Sequence, residues 1–244
     1  MKRFLKLYGI EQKMFFRSGD VFIFNLCMPV VTLITIVLIA GNKSAGVDMT
    51  YLDSAFASLI TVGICCSAFM SIPIVMVDYR DKKVLKSFYC SPCSPALLLG
   101  ADVLCSAVMS IISAILVSGT AVIAFGYRMD GNVILFIGVW FLTLISMFSI
   151  GLLIASLCRT TKSMGVVTAI VYFPMLLFSG ATIPYEVMPS ALQNVADFMP
   201  LSLGIKLMKE ISLRHCVNGM KECIIMLIIT VVCTGISVKT FKWE

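Results

Sequence analysis

Six long apolar stretches, free of charge along most of their length, constrain this chain more than any other feature. A helix needs about 20 mainly apolar residues to cross some 30 Å of hydrocarbon. Uncharged runs of that order lie at Val21–Asn42, Ser54–Val77, Val103–Tyr127, Val133–Cys158 and Ser163–Tyr185. A sixth, Cys223–Val238, is shorter, but Lys221 and Lys239 at its ends can snorkel to the interfaces. Backbone inside a bilayer must satisfy its own hydrogen bonds, which leaves helices or a closed barrel. Continuous apolar runs without alternation favour helices. The sequence therefore predicts an all-α integral membrane protein with six transmembrane helices at about residues 21–41, 54–77, 99–125, 133–157, 163–181 and 222–239. They form one transmembrane domain over 1–244, with too little material between them for a soluble one.

Composition agrees. Hydrophobic residues make up 59% and charged residues 13%, where a soluble domain carries about 25% charged. The formal charge of +6 does not point to nucleic acid, because segments this apolar build no basic groove. It fits a positive-inside pattern instead. With the amino terminus inside, the inner segments hold Lys2, Arg3, Lys6, Lys13, Arg17, Arg80, Lys82, Lys83, Lys86, Arg159, Lys162, Lys239 and Lys242, which is 13 of 19 basic residues. Both termini are thus expected to face the cytoplasm of a cell membrane protein.

Three segments outside the spans stand out. Met1–Arg17 sets Phe4, Leu7, Tyr8, Met14 and Phe15 at nearly helical spacing against Lys2, Arg3, Lys6, Lys13 and Arg17. This reads as an amino-terminal amphipathic helix lying on the inner membrane surface, and it lacks the compact apolar core of a signal peptide. Asp78–Pro95 is an inner connection, charged at first and then carrying Pro92 and Pro95. The outer stretch 181–215, broken by Pro184, Pro189 and Pro200 and half apolar, is a candidate re-entrant helical hairpin between the fifth and sixth spans.

Several chemistries are disfavoured. Proton- or ion-driven carriers usually keep ionisable groups at membrane depth. Asp53 and Asp102 are here expected at helix ends, where both reach water. His215 is the single histidine and falls in the long outer loop, so neither a Ser/His device nor a buried zinc site suggests itself. Cys27, Cys65, Cys66, Cys105 and Cys233 sit inside apolar runs, where cysteine behaves as a small hydrophobe. Cys90 and Cys93 form a lone C-x-x-C without a second pair. No G-x-x-x-x-G-K-[ST] phosphate loop occurs, so the chain is not expected to be an enzyme or to bind a cofactor itself.

At Asp78–Asp102 the sequence reads D-Y-R-D-K-K-V-L-K-S-F-Y-C-S-P-C-S-P-A-L-L-L-G-A-D. This resembles the segment after the second span of ABC type-2 exporter permeases, the membrane subunits of ATP-binding-cassette exporters. Arg80 and Asp81 match that family's charged cluster, Leu85 and Phe88 its apolar positions, and Pro92 and Leu99-Gly100 the remainder. Lys83 and Val84 stand where Gly-Thr is usual, and Asp102 where Lys is common. Phe178–Glu210 is similar to the family's fifth-span exit and outer hairpin, with Ser179-Gly180, Pro184, Pro189, Leu192-Gln193 and Pro200 in order.

The resemblance implies a half-transporter that pairs with a second permease copy, identical or not, within membrane lipid. Each permease would dock a cytoplasmic ATP-binding-cassette ATPase, which would carry the ATP and Mg. Residues 79–91 would be the coupling segment, with Tyr79, Arg80, Asp81, Lys82 and Lys83 as a polar rim and Val84, Leu85 and Phe88 as the apolar anchor. The translocation pathway would run past Phe24, Asn25, Met28 and Thr32 of the first span and Phe173, Leu177 and Phe178 of the fifth. Such a lining suits a lipophilic or amphipathic cargo, whether drug, lipid-like or peptide. A polysaccharide or glycolipid exporter is the nearest rival and a secondary carrier a more distant one. Pro29, Pro73 and Pro174 are candidate kinks.

Overall fold

The computed structural model describes residues 2–17, 19–40, 51–82, 95–129, 131–179, 189–212 and 219–240. Among them every regular element is a helix. Helix α1 is Lys2–Arg17, and α2 joins Gly19–Phe22, a π turn at Ile23–Cys27 and Met28–Ala40. Helix α3 joins Tyr51–Cys66, a π turn at Ser67–Ser71 and Ile72–Asp81. There follow α4 (Pro95–Phe125), α5 (Val133–Leu157), α6 (Thr161–Phe178), α7 (Ser190–Ala196), α8 (Pro200–Ser212) and α9 (Met220–Thr240).

Five of these, α3, α4, α5, α6 and α9, are long and apolar enough to cross a membrane, and α2 contributes a shorter apolar piece, Ile23–Leu38. Among the described residues there are thus five full-length candidates and one short one where six spans were expected. Helix α3 runs on past residue 77, so Tyr79–Asp81 form its last turn rather than the start of a separate segment.

Both π turns end just before a proline, Pro29 in α2 and Pro73 in α3. Proline offers no N–H and its ring crowds the carbonyl four residues back, here Asn25 and Phe69. Widening the preceding turn relieves that clash. The extra residue also resets the helical face. Asn25 is turned inward at 1% exposure, where it donates from Nδ2 to Ser71 Oγ at 3.1 Å. The two widened turns are therefore bolted to each other.

Helix ends obey local chemistry. Asn132 caps α5 by accepting from the N–H groups of Ile134 and Leu135, and Thr160 with Ser163 forms a reciprocal capping box on α6. Helix α4 stops at Gly126, whose φ of 65° suits a residue without a Cβ.

Helix α3 lies at the centre of the bundle. Its Phe69, Ile72, Met76 and Val77 are buried, and α5 crosses it closely at Gly151, where any side chain would run into the Ala68 carbonyl. Helix α9 lies along α5, with Ser237 Oγ donating to Leu152 O at 3.1 Å. Helix α8 is not a surface loop element: Leu201, Leu203, Ile205, Leu207, Met208 and Ile211 are all buried. Its Gly204 sits against Thr143 of α5. Tyr127, its ring tilted against Phe56, shares a hydrogen bond with Ser212 Oγ at the end of α8. The described cysteines are free thiols, with Cys65, Cys66 and Cys105 buried, as suits small apolar side chains.

Helix α1 corrects one expectation. Asp102 does not reach water; it is 0% exposed. Helix α1 lies against α4, with Cys105 Sγ donating to Tyr8 O and Gln12 Nε2 to Met109 Sδ, both at 3.8 Å. It covers the α4 end that would otherwise be open.

Candidate functional site: a cavity between α1, α2, α3 and α6

Four helices line a half-open cavity of about 500 Å³, within the range of small-molecule sites. Helix α1 supplies Glu11 and Phe15, α2 supplies Phe24 and Asn25, α3 runs from Met70 to Tyr79, and α6 contributes Met164 to Phe173. The walls are mostly apolar and aromatic. Phe69 and Phe173 meet the Tyr172 ring edge-on, with centroids 6.3 and 5.6 Å away, and the Tyr172 hydroxyl lies 3.5 Å from Cys66 Sγ.

Polar groups enter the lining at few points. Glu11 is 4% exposed and accepts from the Tyr79 hydroxyl, which lies 2.8 Å from both Oε1 and Oε2. Burial pushes the Glu11 carboxyl above its ordinary range, while the Tyr79 hydrogen bond opposes that rise. Asn25 spends its amide N–H on Ser71, leaving Oδ1 buried without a partner among the described residues. Asp78 is already engaged by Lys82 at 2.8 Å. Behind the wall, Asp102 interacts electrostatically with Glu11, and neither of its carboxylate oxygens has a hydrogen-bond partner among the described residues.

The neighbouring turn of α3 is wired differently. Arg80 Nη1 donates to Cys158 O at 2.8 Å and to Ala155 O at 3.3 Å, so a cation closes the carboxyl end of α5. Asp81 Oδ2 accepts from Thr161 Oγ1 at 2.9 Å and from Thr161 N at 3.5 Å, so an anion meets the amino end of α6. Each charge complements the dipole of the helix end it touches. The root of the 79–91 segment is thereby tied to α1 through Tyr79 and to the α5–α6 turn through Arg80 and Asp81.

The cavity brings together Phe24, Asn25 and Phe173 from the predicted pathway set. Met28, Thr32, Leu177 and Phe178 do not line it. Met28 and Leu177 are 47% and 45% exposed, and Thr32 Oγ1 donates back to Met28 O at 2.7 Å. The π turn breaks the regular spacing that placed Phe24, Asn25, Met28 and Thr32 on one face. Pro189 caps α7 and Pro200 opens α8. Lys83, Val84, Leu85, Phe88, Cys90, Cys93, Pro184 and His215 lie outside the described residues.

Sequence reasoning missed Glu11, Asp78 and Tyr172. Glu11 had a signal: it is the single acidic residue in Met1–Arg17 and shares a helical face with Tyr8 and Phe15.

The family model described as ABC-2 type transporter matches residues 4–213, from α1 through the end of α8. No curated protein sequence matches the chain. The match spans most of the sequence, and with five helices fit to cross a bilayer it marks a multi-pass membrane component of an ATP-binding-cassette transporter: the chain belongs to the ABC-2 type transporter family.

Proposed function

We propose that the chain is the permease subunit of an ATP-binding-cassette exporter, which pairs with a second permease and exports a lipophilic or amphipathic compound. A separate cytoplasmic ATPase supplies the energy, with ATP and Mg held there. In this reading α2 is the first of six spans, both termini are cytoplasmic, α1 lies at the inner surface and the α7–α8 hairpin dips in from the outer side. The exposed face of α1, with Leu5, Ile10, Met14 and Phe16 among Lys6, Lys13 and Arg17, suits a lipid interface.

One observation carries the proposal: an apolar cavity abuts the turn of α3 that leads into residues 79–91. The reading makes 79–91 the ATPase-docking segment, with Lys83, Val84, Leu85 and Phe88 in the ATPase groove. A pull on that segment then moves Tyr79, Arg80 and Asp81, and through them Glu11 on the cavity wall and the α5–α6 turn. Cargo contact and nucleotide chemistry are linked by hydrogen bonds that must break or shift together.

Co-purification tests this. The chain is expected to bring down an ATP-binding-cassette ATPase whose turnover depends on the permease, and Phe88→Ala is expected to lower that dependence by roughly tenfold, as for loss of a buried aromatic anchor. Proton-gradient-driven uptake by the chain alone, with no ATPase, would remove the exporter reading.

A further inference from the structure

We propose that the cavity between α1, α2, α3 and α6 selects a lipophilic organic cation, with Glu11 as its counter-ion and aromatic rings around the charge. This rests on the reading of the cavity as the cargo site and adds the sign of the cargo's charge.

The lining is chemically one-sided. Glu11 and Asp78 bring carboxyl groups to the lining, and no Lys, Arg or His lines the cavity among the described residues. Lys82 already pairs with Asp78, which leaves Glu11 as the carboxylate with spare capacity. Its one hydrogen-bond donor is the neutral Tyr79 hydroxyl, so a buried carboxylate stands without a counter-charge among the described residues. A buried charge lacking an opposite partner is costly, and a bound cation removes that cost.

Aromatic rings reinforce the choice. Phe15, Phe24, Tyr79, Tyr172 and Phe173 all line the space, and ring faces attract cations while repelling anions. A neutral or anionic lipophile fills the same volume but leaves Glu11 without a counter-charge, and an unpaired buried charge discriminates strongly.

The experiment uses the purified full-length chain in an uncharged maltoside detergent and three probes of similar size: tetraphenylphosphonium, triphenylphosphine oxide and tetraphenylborate. Equilibrium dialysis, corrected with empty micelles, measures each affinity. The cation is expected to bind at least tenfold more tightly than either competitor, a margin in keeping with a desolvated cation–carboxylate contact flanked by rings. Glu11→Gln is expected to reduce that preference to about twofold, since the acceptor for Tyr79 remains while the charge goes. Glu11→Asp, which keeps the charge, is expected to retain most of it, and a melting curve for each variant identifies any that fails to fold. Equal affinity for the three probes, or an unchanged preference in folded Glu11→Gln, overturns the inference. Charge-blind binding by a chain that still drives an ATPase removes this inference alone. Cation-selective binding by a chain that captures no ATPase removes the exporter reading alone.

Discussion

Two groups of ionisable side chains flank the same turn of α3, and they are built on opposite logic. Arg80 and Asp81 reach the α5–α6 turn, where each meets a helix end of opposite polarity and finds hydrogen-bond partners. Glu11 and Asp102, on the other side, are almost fully removed from water and have no cation beside them among the described residues. Matched charge holds helices in register. Unmatched charge weakens the fold unless something else completes it, so its presence points away from stability and toward a ligand or a moving part. Charged groups around one helix turn thus carry different duties, and the partner across the gap decides which.

The comparison breaks first at Arg80. Arg80→Ala removes a charge-assisted cap from Cys158 O and Ala155 O and leaves the end of α5 open. The loss is expected to be about 2 kcal/mol, the usual worth of a hydrogen bond to a charged group, or roughly a 4–8 °C fall in melting midpoint for a chain of this size. Arg80→Lys keeps the charge but not the planar fork and is expected to fall between. A midpoint unmoved by Arg80→Ala would show that the matched corner does not brace the bundle.

Tyr79→Phe comes next. It removes the hydroxyl that both Glu11 oxygens share while leaving the ring in place, and is expected to cost about 1 kcal/mol. Asp102→Asn is expected to have the opposite sign. Replacing a buried, unpartnered carboxyl by an amide of the same shape is expected to leave stability unchanged or raise it by up to about 1 kcal/mol. Destabilisation by Asp102→Asn as large as that by Arg80→Ala would place Asp102 among the matched groups and erase the contrast.

Much of the fold was legible in the sequence because a run such as Val133–Cys158 admits few alternatives, and Met1–Arg17 shows its helix through spacing alone. The face of that helix was not legible. An amphipathic helix has the same spacing whether its apolar side meets lipid or protein, so nothing local showed that Tyr8, Glu11 and Phe15 turn to the bundle and roof over Asp102. Pro29 and Pro73 were visible as candidate kinks, but not the widened turns before them or the pairing of Asn25 with Ser71, 46 residues apart. Phe24, Asn25 and Phe173 line the cavity, whereas Met28 and Thr32 do not, because a π turn shifts the register of α2. The duties of Arg80 and Asp81 depend on partners about 80 residues downstream, a distance over which periodicity carries no information.

The smallest expected effect is a slope rather than a step, and it tests whether Glu11 belongs to the unmatched group. Burial raises its carboxyl above the ordinary range, so the folded chain holds that proton more tightly than the unfolded chain does. Well below the ordinary carboxylate range both states are protonated and Glu11 contributes nothing. As pH rises through that range the unfolded state ionises first, which favours unfolding, and the penalty is complete once the folded carboxyl ionises too. Stability owed to Glu11 therefore falls with rising pH between the ordinary carboxylate range and its raised value. Tyr79 on α3 and Asp102 and Cys105 on α4 face the same carboxyl, so the wild-type profile mixes several titrations. The difference between wild type and Glu11→Gln isolates the one in question. Melting midpoints measured from acid to neutral pH are expected to favour the wild type most at the acid end, with the advantage shrinking or reversing toward neutrality. Parallel profiles would mean that Glu11 ionises as it does in the unfolded chain. Its charge would then be matched after all, by a group that the cavity does not display.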